Sequence, residues 1–586
     1  MTDNSQEFNQ RTVRAVIVCL LVVFVYTNLF LSPNKQPQAP VPQASQQVQQ
    51  VAQAPQIGDR APTTITVQPS GSVQASGPIQ VVGAPQSAHP SATDVQAAGI
   101  TYVQSDLIKV GFSHLGARVQ SYLLNNYKAQ QGDEAPLDLV GDLNDTALPL
   151  GIYRGNENDE RVTYTLTSVN GAPATSSPAN LQIAPGGKVS LEFKGTLPSG
   201  VSVTKTVTLS DGSYLFNVDV ALGSAATGQS VWLEWLHKFP EAQSQNAAVT
   251  HTTYLDGANK IHHLSPDELK TQVRATSKWV ALGDLYFMAS LIPPLAENNA
   301  ALARTGETYI GRVSGSESGG SFTIFAGPKV YKMLEGLGSY QLERSIDLGI
   351  FSFLALPLLW LLQYLYLIVN NYGLAIIGLT LIIKTALLPL SQASFKSMKA
   401  MQEIQPEMKA LRERVKDPGQ LNQEIMALYK RRGVNPMSGC LPIVIQIPVF
   451  FGLYQALLNA IELRHASFAL WITDLSSPEK LEIFGWGIPV MVLLMAASMI
   501  LQQWTTPNPS ADPTQQKVMM LMPIVFAGMF IVYPMPAGLV LYWLVNNIIS
   551  ITQQMYLRKT NQSSAYWGTF VASVAIFGFG YILTLI

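Results

Sequence analysis

Apolar positions divide this chain into three regimes. Residues 15–31 are one unbroken apolar run behind a polar start that carries Arg11 and Arg14. No small-x-small cleavage pattern follows, so the run reads as an uncleaved N-terminal anchor with residues 1–14 in the cytoplasm. Residues 100–343 show short β-type runs instead, among them ITYVQ, LIKVGF, KVSLEF, VSVTKTVTL and YLFNVDVAL. Turn signals at Asn170-Gly171, Gly186-Gly187 and Asp211-Gly212 punctuate them. This pattern predicts a large all-β domain of sandwich type, placed outside the cytoplasm by the anchor before it. From residue 348 onward, apolar runs of membrane-crossing length recur between polar turns.

In that last regime, residues 372–393, 440–458, 483–503, 518–533 and 538–557 read as five spanning helices, and 566–586 as an extra C-terminal span. Residues 459–482 are cation-poor and read as an outer loop, and 504–517 as an inner turn. Residues 394–436 hold Lys396, Lys399, Lys409, Arg412, Arg414, Lys416, Lys430, Arg431 and Arg432, which places them in the cytoplasm. If 346–371 and 372–393 both crossed, this basic loop would lie outside. Residues 346–371, with Trp360, Tyr364 and Tyr366, are therefore expected to lie along the outer interface. Within the basic loop, Met398, Met401, Ile404, Met408 and Leu411 recur at helical steps, and Asp417-Pro418 reads as an N-cap with Pro in the first turn. A two-helix hairpin results. Its surface suits a ribosome, a nascent chain, lipid headgroups, or solvent alone.

Composition sharpens this picture. The 586 residues are 47% hydrophobic and 13% charged, about half the charge of an ordinary soluble domain. The apolar residues are clustered, which argues for a polytopic membrane protein. Net charge of −1 gives no electrostatic footprint for nucleic acid. Cys19 and Cys440 lie in or beside apolar runs and suit neither a disulfide framework nor a metal site. No phosphate loop, HExxH or GxSxG motif occurs, and no catalytic residue is singled out. In 32–99, 24 of 68 positions are Pro or Gln and none is aromatic. Such a segment cannot bury enough surface to offset chain entropy and is expected to be a disordered linker.

The candidate chemistry sits among the spans. Lys384 lies near the middle of an apolar stretch, where a charge costs about 2.5–3.5 kcal/mol on insertion scales. Thr385, Gln446, Ser498, Gln502, Asn546, Asn547, Ser550 and Gln554 fall in the central or inner parts of their helices, and the outer halves are more apolar. If these faces converge, they form a polar groove that opens to the cytoplasm and stops part-way across. Such a groove lowers the cost of moving a polar segment through hydrocarbon. A solute transporter would be expected to show internal repeats, and none is found. An intramembrane enzyme would need a nucleophile–base pair, and none is found. A pure scaffold leaves Lys384 unexplained.

Several stretches carry a resemblance: GLAIIGLTLIIKTALLPL, MALYKRRGVNPMSGCLPIVIQIPVFFGLYQ, ELRHASFALWITDL, DPTQQKVMMLMPIVF and GLVLYWLVNNIISITQQ. Over roughly the last 240 residues the chain resembles the YidC/Oxa/Alb family of membrane protein insertases, and its linker and β domain resemble the Gram-negative branch. The resemblance implies an inner-membrane insertase and chaperone, with no enzyme activity and no cofactor. It implies nascent membrane proteins, the ribosome, the Sec translocon and the lipid bilayer as partners, with nucleic acid touched only as ribosomal RNA. Lys384 matches the groove cation, which is usually Arg in this family. Lys keeps the charge and loses the guanidinium fork. Tyr542 and Trp543 match an aromatic pair that contacts substrate, the second commonly Tyr. The basic hairpin matches a cytoplasmic region needed for insertion. Relatives often end in a basic tail, whereas this chain has Arg558 and Lys559 and then an apolar segment.

Overall fold

A computed structural model describes residues 89–143, 147–223, 228–239, 251–294, 298–434, 441–506, 513–559 and 562–585. The expected cytoplasmic start, the anchor at 15–31, the linker as far as residue 88 and both cysteines lie outside the described residues. The expected linker ran to residue 99, but α1 (Ala92–Ala98) is helical. Ser91 Oγ accepts from the Asp94 amide at 3.2 Å while the Asp94 carboxylate accepts from the Ser91 amide at 2.9 Å. This reciprocal cap supplies what composition does not, and Val95 is buried in the core of the β domain.

Two sheets build that domain. Five strands, Ile100–Gln104, Ile108–Ser113, Arg118–Lys128, Pro136–Asp138 and Asn180–Gln182, form one. A fifteen-stranded sheet forms the other, with Lys188–Thr196, Ser202–Ser210, Leu215–Leu222 and Gly319–Pro328 as antiparallel neighbours. Side chains alternate in and out, as period two requires, so Val203, Lys205, Val207 and Leu209 of one strand are all buried. The sheets meet across a shared core, with Tyr122 6.1 Å from Phe216 and Phe112 6.3 Å from Phe193. The result is a large β-sandwich. Its strands His251–Asp256, Ile261–Leu264, Val273–Gly283, Phe287–Ile292 and Asn298–Thr305 were not among the runs picked from the sequence. All six side chains of Phe287–Ile292 are buried, so that strand has no polar face to produce alternation.

After α2 (Tyr331–Gly336) the chain is helical: α3 (Ser352–Val369), α4 (Tyr372–Ala386), α5 (Leu388–Glu403), α6 (Gln405–Arg414), α7 (Pro418–Arg432), α8 (Leu441–Asn459), α9 (Val490–Thr505), α10 (Pro513–Val532), α11 (Ala537–Lys559) and α12 (Gln562–Leu585). Asn370, at φ 51°, ends α3, and the Asn371 side chain accepts from the Leu374 amide at 3.0 Å to start α4. The span expected at 372–393 is not one straight helix. α4 ends at Ala386, and α5 departs at 60° with Pro389 in its first turn, where a missing N–H costs nothing. By length and composition, one described helix, α3, could cross a membrane, or two if the bent α4–α5 pair counts as one. That is fewer than the sequence pattern predicts. Among the described residues, the bend shortens α4, α9 has 16 residues, and the half of α11 away from the β domain is polar.

The β domain meets one end of the helices. Arg464 Nη2 donates to the Ala129 carbonyl at 2.7 Å, and its guanidinium lies 5.2 Å from the Phe287 ring centre. Gln131 Nε2 donates to the Thr473 carbonyl at 2.8 Å. The amides of Ala537 and Gly538 bond the carbonyls of Ser477 and Leu475, each at 2.9 Å, which places the start of α11 at this end.

Candidate functional site

The site is built around α11, which packs against α4, α9 and α12. Lys384 lies in the last turn of α4, just before the bend, where the exposed carbonyls of a helix end favour a cation. It is 8% exposed. Its Nζ donates to Ser550 Oγ on α11 at 2.8 Å, and Ser550 Oγ donates in turn to the Asn546 carbonyl at 2.7 Å. Among the described residues no carboxylate forms an ion pair with Lys384.

The predicted polar residues meet as pairs between helices. Gln446 of α8 donates to Asn546 Oδ1 at 3.1 Å. Asn547 Nδ2 donates to Ser498 Oγ of α9 at 3.0 Å. Gln554 Oε1 accepts from the hydroxyls of Thr505 at 2.8 Å and Thr506 at 3.0 Å, two groups that the sequence reading did not single out. Their position at the C-terminal end of α9, beside Trp504, was the available signal. Gln502 contributes its carbonyl, which accepts from both threonines at 2.9 and 2.7 Å. Thr385 does not join the seam. It is exposed, and its hydroxyl returns to the Leu381 carbonyl of its own helix at 2.8 Å. Gln553 and Gln392, also absent from the predicted set, are buried with amide nitrogens that lack a hydrogen-bond partner.

One turn along α11 toward the β-domain end, the character changes. Trp543 packs on Phe450 of α8 at 5.0 Å and on Phe526 and Phe530 of α10 at 5.7 and 5.5 Å. Tyr542 is buried beside Phe450. This aromatic cluster closes the seam on that side.

The basic hairpin stands on its own small core of Ile404, Met408 and Leu428. Asp417 caps α7 by accepting from the Gln420 amide at 2.7 Å, and Gly433 closes it at φ 63°. Lys396, Lys399, Lys409, Arg412, Arg414, Lys430, Arg431 and Arg432 are all exposed, with Arg432 paired to Glu407.

The β domain holds a second buried charge cluster. Lys205 Nζ donates to the carbonyls of Gly116, Ala117 and Leu150 and to Asp159 Oδ2, at 2.7 to 3.2 Å. Asp159 also takes Arg118 Nη2 at 2.8 Å and the Ile152 amide at 3.0 Å. Burial alone would raise the Asp159 carboxyl, but Lys205 and Arg118 outweigh it and hold it below its ordinary 3.8. Burial pushes Lys205 down to about 8 against the pull of Asp159. A cavity of about 310 Å³ beside Arg118, Val95 and Glu160 adjoins the cluster, far from Lys384 in the chain.

The family described as "60Kd inner membrane protein" matches residues 364–564, and "YidC periplasmic domain" matches residues 101–361. The protein named "Membrane protein insertase YidC" of Pelobacter propionicus is 35% identical over 580 residues, covering 94% of this chain and 99% of the relative. Its namesake from Syntrophus aciditrophicus is 34% identical over 532 residues, covering 86% and 94%. A solved structure described as "Active YidC insertase crystal structure with the first transmembrane domain resolved" aligns with TM-score 0.36 and 17% identity over 79% of this chain and 95% of that one. With matches at this identity over nearly the whole length, the chain belongs to the YidC family of inner-membrane protein insertases, with the family's periplasmic β domain.

Proposed function

We propose that this chain inserts integral membrane proteins and helps them fold by lending polar passenger segments a part-way path along α11, alone or with the Sec translocon. The observation that carries this reading is Lys384, a buried cation with one hydroxyl partner and no counter-ion among the described residues. A structural cation would be neutralised. This one is held ready for an anionic group.

The seam works by exchange. At rest, Lys384 has Ser550 alone, while Gln446 pairs with Asn546 and Asn547 with Ser498. A passenger that parts the helices finds these same groups in place of water, so its own polar atoms are not stripped bare in hydrocarbon. Acidic residues gain most, because unit charges about 4 Å apart attract by roughly 4 kcal/mol at an effective dielectric near 20. Apolar segments leave sideways into lipid past Tyr542 and Trp543. No covalent bond is made or broken, so the chain acts as an insertase and not as an enzyme.

In this reading the N-terminus is cytoplasmic and the chain is multi-pass, with spans at 15–31, α4, α8, α9, α10 and α11 and a further one in α12. α3 lies at the outer interface. The exposed cations of the α5–α7 hairpin face the ribosome, whose RNA is the one nucleic acid in reach.

Insertion into vesicles tests the reading. Lys384→Ala is expected to lower insertion of a passenger with acidic translocated residues about tenfold, equivalent to ~1.4 kcal/mol, and to spare a neutral passenger. Lys384→Arg is expected to retain activity. Equal insertion by all three proteins would remove the electrostatic role.

A further inference from the structure

Residues 481–488 form a hairpin that the groove does not use. Leu481–Ile483 pairs with Trp486–Ile488, and Phe484 at φ 52° and Gly485 at φ 80° make the two-residue turn. Positive φ at both positions suits a hairpin turn, but asparagine or glycine usually stands first. Here a bulky ring takes the left-handed position, and the ring is 99% exposed, with Trp486 77% exposed beside it. A surface bathed only in water gains nothing from such a tip.

The hairpin is firmly seated. Glu479, two residues before it, is buried, and the carboxylate accepts from Trp471 Nε1 at 2.8 Å and from the Met491 amide in the first turn of α9. Hairpin and helix start are thus clamped together. Residues 475–477 of the same loop bond the start of α11, so Tyr533, 68% exposed in the turn from α10 to α11, lies at this end as well.

We propose that this hairpin is a lipid anchor, with Phe484 and Trp486 seated in the headgroup–acyl boundary of the leaflet on the β-domain side. This rests on the reading of α9 as a span. The apolar surface continues from the hairpin along α9 through Leu493 and Leu494, each 48% exposed, and Trp504 at the opposite end is 72% exposed. The 16 residues of α9 supply about 24 Å of rise. The two aromatic ends therefore bracket a length close to the roughly 30 Å hydrocarbon core, and aromatic rings settle at both of its interfaces. Lys480 and Glu482, exposed at the base of the hairpin, reach the headgroups.

The test uses the full chain with Cys19 and Cys440 changed to Ser, reconstituted in phosphatidylcholine–phosphatidylglycerol vesicles. A fluorescent label is placed through Phe484→Cys or, separately, Leu494→Cys. Nitroxide lipids labelled near the headgroup or deep in the chain, and aqueous iodide, serve as quenchers. At 484 we expect the shallow nitroxide to quench more than the deep one, and iodide to quench weakly. At 494 the deep nitroxide should dominate. Strong iodide quenching at 484 with lipid quenching at 494 overturns the anchor and leaves the span standing. Iodide access at both sites removes the span reading and the anchor with it. A 484 label shielded from lipid and iodide alike means that protein covers the tip, which also overturns the proposal.

Discussion

Lys205 in the β domain and Lys384 among the helices are the same residue type, both buried, and their surroundings are opposite. Lys205 has four acceptors, one of them the carboxylate of Asp159. Lys384 has one serine hydroxyl. In each case burial removes water that the ammonium would otherwise hold. In the first the protein supplies three carbonyls and a carboxylate in place of that water, and the charge is part of the β-domain architecture. In the second it supplies one hydroxyl, and in the function proposed above a passenger's anion supplies the rest.

The strongest way to break this comparison is to unbalance the satisfied cluster. Asp159→Ala leaves Lys205 and Arg118 buried without their anion, and removing one partner of such a cluster costs about 3–5 kcal/mol. Urea unfolding of the full chain in detergent, followed by tryptophan fluorescence, is expected to show the β-domain transition at markedly lower denaturant. Acid should do the same. Asp159 has a folded value below its ordinary 3.8, so its contribution is complete above that value and is lost as pH falls through the folded value. Weakening of the β domain confined to pH below about 4 is the expected signature. A loss beginning near pH 6 would point to another group.

The same operation on Lys384 is expected to carry the opposite sign. Lys384→Met removes a buried charge without a counter-ion, a cost of up to about 2.5–3.5 kcal/mol on insertion scales, and gives up one hydrogen bond. The helical domain should hold or gain thermal stability in detergent, while insertion of acidic passengers falls. Destabilisation comparable to that of Asp159→Ala would make Lys384 a structural cation like Lys205, and the comparison would collapse.

How much of this could be read in the sequence follows from the same contrast. Lys384 was legible because it is the one charged residue in the long, mostly apolar stretch 372–390, so it stands out. Lys205 was not. In VSVTKTVTL it occupies an inward position of an alternating strand, and a lysine in a strand ordinarily reads as an outward one. Its partner Asp159 is 46 residues away in sequence, and period two cannot bring them together. The strand alternation and the Asp417 cap are local chemistry and were visible. The α4–α5 bend was also written locally, in Pro389, but the apolar run continues through it and hid the break. Phe287–Ile292 escaped because burial on both faces erases the pattern. The pairings along α11 depend on how four helices pack, which spacing in one helix does not encode.

The smallest expected effect sharpens the comparison most. Ser550→Ala takes away the one partner Lys384 has, at a net cost of about 0.5–1.5 kcal/mol for a single hydrogen bond. If Lys384 were there to hold α4 to α11, this change would imitate Lys384→Ala in insertion assays. If a passenger carboxylate replaces Ser550 during insertion, the hydroxyl is the competitor that must leave. Its loss should then leave insertion of acidic passengers unchanged or faster, with neutral passengers unaffected. Paired rates for acidic and neutral passengers separate the two, because an architectural role lowers both and a competing role lowers neither.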